Sequence, residues 1–137
     1  YIIIDTPPAL GVLLLNALTF ADTVIVPITA ERYSLQGLSQ FMETVNAAKE
    51  YTNPNLTISG LLLTRYNGRT NLSKEVAEGM PQIADQLDTI VFDTQIRESV
   101  ATKEAQALRK SLYSHAASST TAKDYLAFVD ELIKRGI

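Results

Sequence analysis

Hydrophobic and polar positions fall in alternating blocks along the 137 residues, and the blocks switch between strand-like and helix-like periods. Tyr1–Ile4 is a continuous apolar run, the pattern of a short strand buried on both faces. Asp5-Thr6-Pro7-Pro8 breaks it, because tandem prolines cannot continue a ladder. Leu10–Phe20 is apolar, rich in helix formers, and predicts a helix. Thr23–Ile28 reads as a second buried strand with Pro27 near its end. Ser34 is placed to cap a helix over Leu35–Tyr51, where Leu35, Leu38, Phe41, Met42, Val45 and Ala48 recur at helical spacing.

Asn53-Pro54-Asn55 turns the chain into a third strand, Leu56–Thr64, and Arg65–Leu72 reads as a polar loop. Ser73 is expected to open a helix with Val76, Met80, Ile83, Ala84 and Leu87 on one side, bent or divided at Gly79-Met80-Pro81. Thr89–Ile96 predicts a fourth strand, and a short helix is expected from about Ser99 to Leu108. Ser114–Thr121 reads as a polar connector ending in a loose capping box, Thr121-Ala122-Lys123-Asp124. The last helix is expected to bury Tyr125, Leu126, Phe128, Val129, Leu132 and Ile133. Repeated strand–helix units predict an α/β fold, a mostly parallel sheet with helices on both faces. With no internal repeat and no long linker, residues 1–137 are read as lying within one domain.

Composition narrows the chemistry. There is no cysteine and one histidine, His115, which excludes disulfides, thiol nucleophiles and Cys- or His-rich metal centres. His115 lacks a nucleophile elbow and is read as a surface or packing residue. The net charge of −3 argues against a generally basic nucleic-acid binder. That charge is uneven: residues 1–64 carry two basic against five acidic groups, whereas residues 65–137 carry ten of each. The chain opens on Tyr1-Ile2-Ile3-Ile4-Asp5, already inside what reads as a buried strand, and is therefore expected to be part of a longer protein.

In parallel sheets ligands sit beyond the carboxyl ends of the strands. Asp5, Pro27–Tyr33, Thr64–Asn67 and Ile96–Ser99 all fall at such ends. An apolar strand ending in one carboxylate, Asp5, has the form of a Walker B element and suits Mg²⁺, which prefers oxygen ligands and keeps several waters. The same Asp5 could instead cap the turn that follows. Thr6, Pro7 and Pro8 would make either a stiff loop reporting on a γ-phosphate or a rigid redirection of the chain.

Tyr1-Ile-Ile-Ile-Asp-Thr-Pro-Pro-Ala-Leu-Gly, Leu15-Asn-Ala-Leu18, Ala21-Asp22 and Val26-Pro-Ile28 resemble the Walker B and switch II region of ParA/Soj-type partition ATPases, within the ParA/MinD superfamily. The resemblance continues through Glu31-Arg-Tyr-Ser-Leu-Gln-Gly-Leu38, Gly60–Ser73, and Ile96-Arg-Glu-Ser-Val100 with Glu104-Ala105. It implies the C-terminal portion of a P-loop NTPase domain, an ATPase that dimerises around two ATP molecules. By resemblance, Asp5 would hold Mg²⁺ through water, and Thr6, Pro7 and Pro8 would form switch II. These four are the catalytic candidates. Arg65, Tyr66, Ile96, Arg97 and Ser99 would border the adenine, with Arg97 where many relatives have proline and Ser99 where many have asparagine.

The phosphate cradle is not in this sequence: no Gly-x-x-x-x-Gly-Lys-Ser/Thr, nor its lysine-rich variant, occurs. The family places it upstream, so these residues alone are expected neither to bind ATP tightly nor to hydrolyse it. The resemblance further implies a cytoplasmic, nucleoid-associated protein, an activating ParB-like partner, and non-specific DNA binding by the ATP-bound homodimer. The basic candidates are Arg65, Arg69, Lys74, Lys103, Arg109, Lys110, Lys123, Lys134 and Arg135, of which Arg69, Lys103, Arg109 and Lys110 are preferred and Arg109-Lys110 is the best local pair. A membrane-binding C-terminal helix is not expected, because Lys123, Lys134 and Arg135 are balanced by Asp124, Asp130 and Glu131. Two alternatives stay open: a bacterial P-loop tyrosine kinase, which shares Asp-Thr-Pro-Pro, and a non-catalytic scaffold of the same fold.

Overall fold

The two apolar runs that carry strand signals and flank one long helix are the ones that pair. In the computed structural model, which describes residues 1–7, 9–31 and 34–137, the elements are α1 (Val12–Phe20), β1 (Thr23–Thr29), α2 (Ser34–Tyr51), β2 (Thr57–Thr64), α3 (Asn71–Gln86), α4 (Val100–Ala107), α5 (Leu112–Ala116) and α6 (Thr120–Arg135). Pro8 and the capping side chain expected at Ser34 lie outside the described residues. β1 and β2 run parallel, with α2 as the crossover that parallel pairing requires. Register runs from Thr23 opposite Thr57 to Thr29 opposite Thr64, slipping between Val24 and Ile25 so that Ser59 is the extra residue. The bulge lets Ile58 and Leu61, three residues apart, serve the same core.

Helices cover both faces of this sheet. On one, Val26, Ile28, Leu61 and Leu63 pack against Leu38 and Met42 of α2 and Val76, Met80 and Ala84 of α3. On the other, Leu62 packs with Phe92, Ile96 and Phe128 of α6. α1 sets Leu14 and Leu18 against Val45 and Ala48 of α2. The Asn53 amide fixes that corner by donating to the Leu18 and Ala21 carbonyls at 2.9 and 2.7 Å, so the expected turn also holds the end of α1.

Tyr1–Ile4 is not a strand: it carries no regular structure, and Tyr1, Ile2 and Ile3 are almost wholly exposed. A strand needs a ladder neighbour, and no described residue pairs with it. Thr89–Ile96 follows the free edge of β2 through one isolated parallel bridge, Leu61 to Val91, and a backbone hydrogen bond from Ile96 to Leu63, and a second bridge, Tyr66 to Arg97, lies just past both segments. The ladder breaks because Glu131 of α6 accepts the Asp93 and Thr94 amides, both at 2.9 Å.

α3 starts two residues earlier than expected, capped by Thr70, whose hydroxyl accepts the Ser73 amide. It runs unbroken through Pro81, which faces solvent between the buried Met80 and Ala84. Residues 112–116 form the short helix α5, which takes in the first three residues of the expected connector Ser114–Thr121 and is capped by Ser111. α6 is capped by Ser119 rather than by the box at Thr121, and Asp124 is thereby free for another role. Of the six apolar residues expected inside α6, only Phe128 is buried; Tyr125, Leu126, Val129 and Ile133 are exposed.

At Gly60 the 89–96 segment leaves no room for a side chain on β2. A Cβ there would lie 2.8 Å from Cε2 of the fully buried Phe92 and 3.1 Å from Ile90. Gly60→Val is therefore expected to destabilise the chain by about 2 kcal/mol through overpacking. Chemical denaturation checks it, and an unchanged midpoint would contradict the close approach.

Candidate functional site

Three loops leave the sheet at its carboxyl edge, after β1, after β2 and after the 89–96 segment. Charged residues tie them together. Arg65 donates to Glu31 at 3.0 Å and lies 4.0 Å from Glu98, which pairs with Lys103 of α4 at 2.9 Å. The Lys103 ammonium, by hydrogen bond and by charge, holds the Glu98 carboxyl below the usual carboxylate range. These side chains are well exposed, so each pair adds little stability and mainly aligns loops. Arg65 also adopts a left-handed backbone, φ 53°, which a non-glycine residue enters at some cost.

Tyr66, Ile96 and Arg97 are brought together by backbone pairing. The Tyr66 amide donates to the Ile96 carbonyl and the Glu98 amide to the Tyr66 carbonyl, each at 3.0 Å. The Ile96 side chain is buried in the core beneath this edge, so it can support a ligand only from below. Ser99 caps α4, its hydroxyl accepting the Ala101 amide at 3.1 Å. Tyr66 and Arg97 also line, with Asp93, Thr94, Gln95, Asp124 and Ala127, a cleft of about 400 Å³.

Arg97 is gripped by α6. Its Nε and Nη2 donate to the two Asp124 oxygens at 2.9 and 2.5 Å, its own amide donates to Asp124 Oδ2 at 3.1 Å, and its carbonyl accepts the Thr121 hydroxyl at 3.1 Å. Burial pushes the Asp124 carboxyl up, but the Arg97 donors outweigh it and hold the group below its ordinary value. The same hydrogen bonds raise the Arg97 guanidinium. Asp124 and Thr121 lie 27 and 24 residues from Arg97, and no spacing rule in the sequence joins them. One signal was available: an acid on the apolar side of an amphipathic helix, four residues before Phe128, is seldom left unpaired.

The remaining sequence candidates are spread out. Asp5 and Pro7 are exposed and Thr6 is half-buried in the segment before α1. No group of three or more acidic or histidine side chains positioned for a metal occurs among the described residues, which leaves Asp5 as a single-carboxylate candidate. Arg69 is exposed on the loop before α3. Lys103 is committed to Glu98. Arg109 and Lys110 are exposed at the α4–α5 corner and join no ion pair among the described residues. No helix among the described residues is long and apolar enough to cross a membrane.

A family described as an AAA domain matches residues 1–58. The chromosome partitioning protein ParA of Myxococcus xanthus is 38% identical over 135 residues, which is 98% of this chain and 47% of that protein. The sporulation initiation inhibitor protein Soj of Bacillus subtilis is 38% identical over 136 residues, 99% of this chain and 53% of that protein. The chain thus spans about half the length of the curated relatives it matches. Among solved structures, cobyrinic acid a,c-diamide synthase from Mycobacterium smegmatis superposes with a TM-score of 0.73 at 33% identity, over 95% of this chain and 45% of that one. Crystal structures of that synthase hold ADP with magnesium and an ATP analogue with magnesium. Over nearly its whole length the chain is thus similar to about half of the chromosome partitioning protein ParA and of Soj.

Proposed function

We propose that residues 1–137 form the C-terminal part of a ParA-type ATPase domain whose intact protein binds ATP and Mg²⁺, dimerises, and binds DNA without sequence preference during DNA partitioning. The observation that carries this is the match at 38% identity to ParA and Soj over 98–99% of the chain, a span that takes in Asp5-Thr6-Pro7-Pro8 and the three carboxyl-edge loops. The residues present fit one side of a nucleotide. Tyr66 and the Arg97 guanidinium offer flat surfaces for a base, and the exposed carboxylate of Asp5 suits a water-mediated Mg²⁺ contact. Bound Mg²⁺ would neutralise charge on the phosphates. The backbone cradle that phosphates need is not within these 137 residues, so the chain by itself is expected to show no micromolar affinity for ATP.

Arg109 and Lys110 are the DNA-facing groups this reading favours, because among the described residues neither joins an ion pair. Arg109→Glu with Lys110→Glu in the intact protein is expected to weaken binding to DNA of arbitrary sequence. It should also reduce the salt dependence, by about 0.9 in the log–log slope for each phosphate that is no longer neutralised. Fluorescence anisotropy across a salt series checks it, and an unchanged slope would move the DNA surface elsewhere. A partner of the ParB type and a cytoplasmic, nucleoid-associated location belong to the same proposal.

A further inference from the structure

A dense polar constellation lies on α6, far from the strand ends in sequence. Both backbone polar groups of Arg97 and two of its guanidinium nitrogens are taken by two residues about one turn apart: Asp124 accepts its amide, Nε and Nη2, and Thr121 donates to its carbonyl. Asp124 is 8% exposed and Thr121 2%, so the grip is anchored in the packed face of α6 while the Arg97 side chain stays half exposed. Residues 96–99 therefore cannot shift without either breaking this grip or moving α6. On their other side, backbone hydrogen bonds tie them to Leu63 and Tyr66. An arginine held this way presents a guanidinium plane at a fixed angle beside Tyr66, and a plane fixed before binding loses no rotamer freedom when a ring stacks on it.

We propose that Asp124, with Thr121, is a positioning residue that fixes the 96–99 loop and the Arg97 plane for the base of the bound nucleotide. This rests on the nucleotide-binding function proposed above and adds to it a determinant for the base rather than the phosphates. Asp124 acts through Arg97.

The test uses the intact polypeptide that contains these residues, with Asp124→Asn and, as the milder change, Thr121→Val. A fluorescent ATP analogue and inorganic tripolyphosphate serve as probes, the melting temperature is followed in parallel, and Asp130→Asn serves as the surface control. Asp124→Asn is expected to weaken binding of the ATP analogue about tenfold, raise KM for ATP with little change in kcat, and leave tripolyphosphate affinity intact. Thr121→Val should give the same pattern at smaller size, and carries the test if Asp124→Asn does not fold. Equal losses for the ATP analogue and tripolyphosphate would mean general loosening and overturn the inference. So would unchanged affinity for both. If the unsubstituted intact protein binds no ATP, the proposed function fails first, which is distinguishable from failure of the positioning role alone.

Discussion

Phe128→Ala is expected to destabilise the chain by about 3–5 kcal/mol. Phe128 is the buried side chain by which α6 holds the sheet. It meets Phe92 edge to face, with ring centroids 5.0 Å apart and an interplanar angle of 82°, and it shares that cluster with Leu62 and Ile96. Truncation loses the burial, the aromatic contact and the filling of the space beneath the carboxyl edge. Phe128→Leu should recover much of the loss, because most of the volume returns. Equilibrium denaturation of both variants tests this; a cost below about 1 kcal/mol for the alanine would mean that α6 is not docked as described.

Glu131→Gln carries the second large effect, expected at about 2 kcal/mol at neutral pH. Both Glu131 oxygens are engaged: the Asp93 and Thr94 amides at 2.9 Å, and Arg135 at 3.0 and 2.9 Å. A glutamine offers one acceptor oxygen and turns its amide toward a backbone donor, leaving an N–H without a partner. The effect also depends on pH. Burial pushes the Glu131 carboxyl up, but the Asp93 and Thr94 donors together with Arg135 outweigh it, and the group stays below the usual range. A carboxyl lowered in the folded state contributes stability that is full above its unfolded pKa of about 4.3 and is lost as pH falls through the folded value. Asp124 behaves in the same sense. Stability should therefore fall on acidification below about pH 4.5, and Glu131→Gln should flatten that fall. A wild-type profile flat to about pH 3 would contradict the role given to both carboxylates.

The contrast between Glu131 and Tyr1–Ile4 explains what the sequence could and could not reveal. β1, β2 and α2 were legible because their signals are local: apolar runs of strand length, and an apolar stripe at helical spacing with polar turns between. The meeting of Thr64–Asn67 with Ile96–Ser99 at the carboxyl edge was legible for the same reason, whereas Asp5, read as the end of a strand, follows a segment with no regular structure. A ladder is not local. Tyr1–Ile4 has the composition of a strand and finds no neighbour, while Thr89–Ile96 has a neighbour but yields two amides to a side chain 37 and 38 residues away. α6 misled in the opposite direction, because six apolar residues occupy more of its circumference than one sheet face covers, and only Phe128 is fully enclosed. Of the base-edge candidates, Tyr66 and Arg97 do meet, but the residues that hold Arg97 come from a helix that the sequence places elsewhere.

The most direct test of the proposed partition-ATPase function is the nucleotide dependence of DNA binding by the intact protein. Fluorescence anisotropy of a labelled duplex of arbitrary sequence would be followed with ATP, with ADP and without nucleotide, each with Mg²⁺ and over a range of salt. The proposed ATP-driven DNA switch predicts binding that needs ATP, is lost with ADP, and weakens steeply as salt rises. Binding that is the same with ATP, ADP or no nucleotide, or no binding while ATP is bound, would contradict it.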